Sequence, residues 1–468
     1  MGDILTLLPG VLLVVNFLFG VIIVFFERKD PAVTWAWLMV VFVLPYFGFL
    51  LYILLGFDGR KGRLFLHKAK ADERLYNQFL EMTQSEHNDF DGIPRFEASL
   101  EPDQTDSAIV CYHEGGAKFD ALLQDIHTSE RFICLQYYIV RHDDLCNRLV
   151  HALAQKARAG VQVRFLIDGM GCVLTVKRVF APLLEAGGQL AVFFPPHFMR
   201  LNFRNHRKLA VIDGHVGYIG GLNIGDEYLG KSKRFGYWRD CHIRLEGEAV
   251  HRLSLRFMMD WNFAAVQKMD VAAFYFPQPI TTRVNQSQSV QVVSSGPDTK
   301  WPSIQYGYTK MISRAARSLY IQTPYFVPDD SVLEAIRVAA LSGVDVRIVI
   351  PAKPDHPFVY WAGLSCFGAL LDAGVKCYLY EKGFMHSKLV IADAAVVSVG
   401  TANMDVRSFK LNFEVNAFIN CPQTAQTLTK FFMADLDDCT EVTSAWYQQR
   451  PFTTRIKESV ARLLSPIL

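Results

Sequence analysis

The chain opens on two long apolar runs, Ile4 to Phe26 and Ala32 to Gly56, separated by the polar stretch Glu27-Arg28-Lys29-Asp30-Pro31. Each run exceeds the roughly 20 residues that a helix needs to cross a bilayer core. Together they predict an N-terminal hairpin of two transmembrane helices over residues 1–58, with both ends on one side. Met1-Gly2-Asp3 offers no basic flank and a second run follows at once, which argues against a signal peptide. Arg60, Lys61, Arg63, Lys68 and Lys70 crowd after the second run, against only Arg28 and Lys29 between the two. The positive-inside rule then puts everything after the hairpin on the cytoplasmic side of a cell membrane.

Residues 59–100 read as a polar, helix-prone connector. From about Ser107 the pattern changes to apolar strands alternating with helical stretches, and it occurs twice. "FICLQYYIVRHDD" from Phe132 parallels "LYIQTPYFVPDD" from Leu319, "ARAGVQVRFLID" parallels "ALSGVDVRIVIP", and "LLEAGGQLAVFFP" parallels "LLDAGVKCYLYE". The Pro-, Gln-, Thr- and Ser-rich stretch Phe276 to Ser289 marks a junction. The expectation is an α/β protein of two similar lobes, 101–280 and 281–468, facing each other across a pseudo-twofold axis. Their sheets should be mixed and largely parallel. A C-terminal amphipathic helix places Ile456, Val460, Leu463, Leu464 and Ile467 on one face, with Arg455, Lys457 and Arg462 outside it. That pattern suits an anionic lipid surface.

Composition narrows the partners. The 48 Lys and Arg nearly balance the 46 Asp and Glu, so no basic field speaks for nucleic acid. Nine cysteines without a C-x-x-C pair fit a reducing compartment and speak against a zinc site.

The chemistry lies in two matching segments, "RNHRKLAVID" from Arg204 and "MHSKLVIAD" from Met385. Residues two apart on a strand share a face, so His206 and Lys208 point together, as do His386 and Lys388. Asp213 and Asp393 fall on the opposite face or in the turn, where they complete the catalytic set as supporting carboxylates. Asn223 and Asn403 follow at one fixed offset and are the candidate substrate-binding donors. A lysine beside each histidine repels a cation, so no metal or other cofactor is expected. Ammonium and amide donors suit an anion instead.

"RNHRKLAVIDG", "GGLNIGDEYLG", "WRD" at Trp238 to Asp240, "GFMHSKLVIAD", "GTANMDVRSF" and "LNFEVNA" resemble signatures of the phospholipase D superfamily, and in their wording the bacterial cardiolipin synthase family. The resemblance covers essentially the whole chain. It implies that one imidazole attacks a phosphodiester to form a phosphohistidine while the other protonates the departing alkoxide. It assigns His206 as nucleophile and His386 as general acid/base, roles that the symmetry of the sequence leaves open. It pairs Asp240 with His206 and Glu414 with His386. The implied reaction moves a phosphatidyl group from one phosphatidylglycerol to another and releases glycerol, with membrane lipids as the only other partners.

A phospholipase D-type hydrolase and a phosphatidylserine synthase would use the same residues. A nuclease or an inactive scaffold is the further alternative. The hairpin, and the apolar "FFPPHFMRLNF" before His206, favour lipid over nucleic acid. Homo-oligomerisation stays open.

Overall fold

The computed structural model describes residues 2–27, 31–44, 47–56, 61–83, 107–173, 177–194, 202–271 and 289–465. The stretch 28–30 between the apolar runs, most of the junction from Phe276, and the middle of the apolar loop before His206 lie outside the described residues.

The two apolar runs fold differently. The first is helical over Gly2–Val21 and continues as a π-turn, Ile22–Phe26. The second breaks after the helix Pro31–Val43, resumes as Gly48–Leu51 with a π-turn at Tyr52–Gly56, and doubles back. Gly48 lies so close to the backbone of Val40 and Val41 that a Cβ there would collide with the Val40 carbonyl. Tyr52 packs edge-on to Trp37 at 5.2 Å. The expected second span is therefore a bent helical pair instead of one straight rod. Among the described residues no helix is long and apolar enough to cross a membrane.

The described part of the connector is one helix, Lys61–Thr83, and it is built into the lobes. Phe65, Tyr76, Phe79 and Leu80 are buried in the largest apolar cluster. Phe65 meets Phe203 and Phe413 edge-on at 5.0 and 5.5 Å, so the helix touches residues of both lobes. Lys68 is fully buried against Asp72, Asp260 and Asp298 at 2.6, 3.3 and 2.8 Å. Phe193 and Phe194, at the start of the apolar loop, are buried in the same aromatic cluster and so anchor that loop.

Each lobe is built on one sheet, and the two sheets repeat one strand order. In the first the order is Ser107–Tyr112, His242–Gly247, Val216–Gly220, Leu209–Ile212, Phe132–Tyr137, Gln162–Asp168 and Gln189–Phe193. In the second it is Ser289–Ser295, Asn412–Asn420, Val396–Gly400, Leu389–Ala392, Ser318–Gln322, Asp345–Pro351, Lys376–Tyr380, with Cys439–Val442 added at the edge.

The sheets are mixed, but the expectation of largely parallel pairing is corrected. Only the last two pairs of the shared order are parallel in each lobe. The strands after His206 and His386 are hairpins, and a tight turn can join only antiparallel neighbours. Alternating strands and helices produce the parallel part alone.

Two short parallel ladders tie the lobes together. Arg204–Asn205 pairs with Asn412 and Phe413, and Gly383–Met385 pairs with Tyr237–Arg239.

Candidate active site

Those two ladders set the site. Arg204 stands opposite Asn412 and Asn205 opposite Phe413, so the next position places His206 beside Glu414. The His206 backbone N–H donates to the Phe413 carbonyl at 2.9 Å, and its Nδ1 lies 2.9 and 3.0 Å from the two Glu414 carboxylate oxygens. By the same logic Met385 stands opposite Arg239, and His386 falls beside Asp240. There the His386 backbone N–H donates to the Arg239 carbonyl at 2.7 Å, and Nδ1 is 2.7 Å from Asp240 Oδ2.

The pairing read from the resemblance is thus reversed. Each histidine takes its carboxylate from the opposite lobe, because inter-lobe strand register brings them together and closeness in the chain does not.

Both acids are themselves held. Glu414 accepts from Thr401 Oγ1 at 2.6 Å and from Asn412 Nδ2 at 3.2 Å. Asp240 accepts from the Cys241 N–H at 2.7 Å and from the Trp238 indole at 3.4 Å. A side chain at Gly221 would collide with the Asp240 carboxylate, which accounts for a glycine at that position. With Nδ1 tied to a carboxylate, each imidazole keeps Nε2 free for chemistry.

Lys208 and Lys388 are buried, and each donates to the carbonyl of its own histidine at 2.6 Å. Burial pushes the Lys208 ammonium down to about 7, with Glu414 opposing and Lys388 adding to the effect. Burial likewise brings Lys388 down to about 8, against the pull of Asp240. His206 falls to about 4, mainly through burial, with Glu414 opposing and both lysines contributing. His386 also falls to about 4, through burial and Lys388, with Asp240 opposing. Each imidazole therefore feels the lysines of both lobes, so the four groups share one electrostatic site. Burial alone would raise Glu414, yet His206 and Lys208 reverse this and hold it below its usual range. Burial thus disfavours the charged form of both lysines and both imidazoles, and a bound anion would favour it.

Asp213 and Asp393 lie in the turn, one of the two places expected for supporting carboxylates. Both have left-handed backbones at φ 53° and 55°, in the turn that follows the motif strand. Asp213 accepts from the N–H groups of Glu130, Arg131 and Phe132 at 2.7, 2.8 and 2.8 Å. Asp393 accepts from Ala316, Arg317 and Ser318 at 2.9, 2.7 and 2.9 Å. They staple the motif turn to the start of the neighbouring strand.

The asparagines differ from each other. Asn223 Oδ1 accepts from the Ile139 N–H at 3.0 Å, a loop-holding role. Asn403 is buried with no hydrogen-bond partner on its side-chain oxygen among the described residues.

Sequence reasoning missed the groups that hold the motifs from behind. Asp168 accepts from the Asn205 N–H at 2.8 Å, immediately before His206. Arg207, on the far side of its segment from His206, is fully buried against Asp260 at 2.5 Å, and Gln136 reaches the same carboxylate at 2.7 Å. A similar cluster crosses between the lobes, where Arg239 of the first and Gln322 of the second both reach Asp435. An arginine facing inward from an apolar strand was the available signal, since buried charge needs a partner.

The family described as "Cardiolipin synthase, PLD-like domain" matches residues 122–235 and 308–436, and one described as "Phospholipase D-nuclease N-terminal" matches 14–56. The chain is 46% identical to the major cardiolipin synthase of Bacillus subtilis, over 99% of each protein. It belongs to the cardiolipin synthase family. Within that family it is also 45% identical to a cardiolipin synthase of Staphylococcus aureus, over 97% of this chain and 95% of that protein. A cardiolipin synthase of Listeria monocytogenes is 45% identical over 98% of both. The solved phosphatidylserine synthase of Haemophilus influenzae shares the fold, with a TM-score of 0.61 over 85% of this chain and all of its own at 14% identity.

Proposed function

We propose that the chain is a phosphatidyltransferase that joins two phosphatidylglycerol molecules into cardiolipin and releases glycerol. The observation that carries this is the reciprocal pair of carboxylate-held imidazoles with two buried lysines between the lobes. Family membership and the polarity of the site support the same reading.

The chemistry follows from the hydrogen bonds. His206 donates Nδ1–H to Glu414, which leaves the Nε2 lone pair to attack the phosphorus of the donor lipid. The P–O bond to glycerol breaks as the P–N bond forms, and His386 Nε2–H protonates the leaving oxygen. Glu414 stabilises the cationic character that His206 gains. Lys208 and Lys388 counter the extra negative charge of the five-coordinate phosphorus.

In the second half, His386 takes the proton from a hydroxyl of another phosphatidylglycerol. That oxygen displaces Nε2 of His206, and the group count closes without a cofactor.

His386 must begin protonated, although burial lowers it to about 4. The charge of the bound diester offsets the two lysines and favours the imidazolium, so the proton is taken up with substrate. Water has to be kept from the phosphohistidine for transfer to outrun hydrolysis.

The N-terminal region anchors the enzyme in the membrane, with the lobes on the cytoplasmic side. Exposed Leu13, Phe17, Phe25, Phe26, Trp35 and Phe47 cluster in this segment and support lipid contact there.

The test is incubation of the purified chain with labelled phosphatidylglycerol, beside His206→Ala. Label should pass to cardiolipin in the unmodified chain alone. Label passing only to phosphatidic acid would reject transferase in favour of hydrolase.

A further inference from the structure

The repeat that matches the two histidines does not extend to all of their neighbours. Beside His386 stand the rings of Trp238 and Phe384, at 5.2 and 6.0 Å. Beside His206 stands Tyr138 at 5.0 Å, whose hydroxyl interacts with Arg204. Arg407 completes this side, close enough to Arg204 that the two guanidiniums oppose each other's charge. In the repeat, Phe384 occupies the position of Arg204, and Glu227 that of Arg407. One flank of the site is basic; the other is aromatic.

Each arginine has a buried carboxylate nearby, Asp168 for Arg204 and Asp405 for Arg407, but Asp168 is already committed to the N–H groups of Met170, Gly171 and Asn205. Arg407 donates to the side-chain oxygen and carbonyl of Asn202 at 2.9 and 2.8 Å, and Arg204 donates to the Phe203 carbonyl at 3.0 Å. These acceptors are neutral, and neither arginine forms an ion pair among the described residues. Asp405 offsets part of the charge on Arg407, but its carboxylate is committed to the Ser408 N–H at 2.6 Å. Half-buried neighbouring guanidiniums are unfavourable unless an anion joins them, and their planar donor forks match phosphate.

We propose that Arg204 and Arg407 form a second anion subsite, separate from the Lys208 and Lys388 site, which holds the phosphodiester of the accepting phosphatidylglycerol. This rests on the transferase reading above. In the product the two phosphates are joined by a three-carbon bridge, so the acceptor's phosphate has to sit a short side chain away from the reacting phosphorus. Tyr138 stands beside the His206 ring at 5.0 Å and its hydroxyl reaches Arg204, which puts the basic flank next to the reacting phosphorus. The acceptor's phosphodiester itself is not altered. Its hydroxyl oxygen bonds to the reacting phosphorus as the P–Nε2 bond to His206 breaks, and the proton passes to His386. The subsite therefore favours a charged lipid alcohol over water or a neutral alcohol.

The experiment compares two acceptors in the full chain reconstituted in vesicles of phosphatidylglycerol and phosphatidylcholine. Cardiolipin formation needs a charged acceptor; exchange of labelled glycerol into phosphatidylglycerol needs a neutral one. In an Arg204→Gln/Arg407→Gln double variant, cardiolipin formation should fall about tenfold or more while glycerol exchange stays within about twofold. Lys variants at both positions should recover most of the cardiolipin formation, because they keep the charge. Equal loss of both reactions would overturn the proposal, since the arginines would then serve the donor or the fold. So would no loss in either. Absence of glycerol exchange in the unmodified chain would instead refute the transferase reading beneath it.

Discussion

Replacing the two buried acids tests the crossed pairing. Glu414→Gln keeps the shape of the side chain. Its carbonyl oxygen can still accept from His206 and Asn412, while the amide faces Thr401, whose hydroxyl can turn to the Val415 carbonyl at 3.2 Å. What is lost is the negative charge opposite His206 Nδ1 at 2.9 Å. A hydrogen bond to a charged group contributes about 1.5–3 kcal/mol, which corresponds to a rate loss of roughly ten- to a hundredfold. Asp240→Asn removes the equivalent charge from His386 at 2.7 Å.

The assay uses two donors. One is phosphatidylglycerol; the other is a phosphatidyl ester of an acidic phenol, whose leaving group departs without a proton. Glu414→Gln should slow both donors alike, because both need attack by His206. Asp240→Asn should slow phosphatidylglycerol but spare the burst of phenolate, because only glycerol needs the acid. A burst that Asp240→Asn slows and Glu414→Gln spares would refute these roles and restore pairing within each lobe.

Three further outcomes are expected. Because burial lowers Lys208 to about 7 and Lys388 to about 8, an unreactive phosphodiester bound at about pH 8 should take up protons. Calorimetry in buffers of different ionisation enthalpy would show this, and affinity should weaken as pH rises through that range; a pH-independent affinity would refute it. Asp393→Asn should lower stability by about 1–2 kcal/mol in denaturant titrations, by weakening acceptors for three backbone N–H groups. It should leave turnover of the folded fraction unchanged, whereas a catalytic carboxylate would abolish turnover. Lys68→Met leaves Asp72, Asp260 and Asp298 buried without their shared cation, so unfolding free energy should fall by about 3–5 kcal/mol; an unchanged melting temperature would show the cluster to be dispensable.

The repeat, the motif strands and the chemistry class were legible in the chain because they rest on local pattern. A His-x-Lys spacing sets a shared face within a few residues, and a lysine beside each imidazole already selects an anion over a metal. The same locality explains what was misread. Ala32 to Gly56 is uniformly apolar, and hydropathy does not register that Gly48 lets the backbone fold onto Val40 and Val41. Strands alternating with helices suggested parallel sheets, yet the hairpins after His206 and His386 make most neighbours antiparallel.

By itself the sequence determined that two equivalent half-sites exist and which side chains each contributes. Only the tertiary structure decided that Glu414 serves His206 and Asp240 serves His386, and that Arg204 meets Arg407 on one flank alone. The physical reason is that these contacts depend on the register of strands more than a hundred residues apart, 204–205 against 412–413 and 383–385 against 237–239. Register is set by packing of whole lobes, and no local periodicity encodes it.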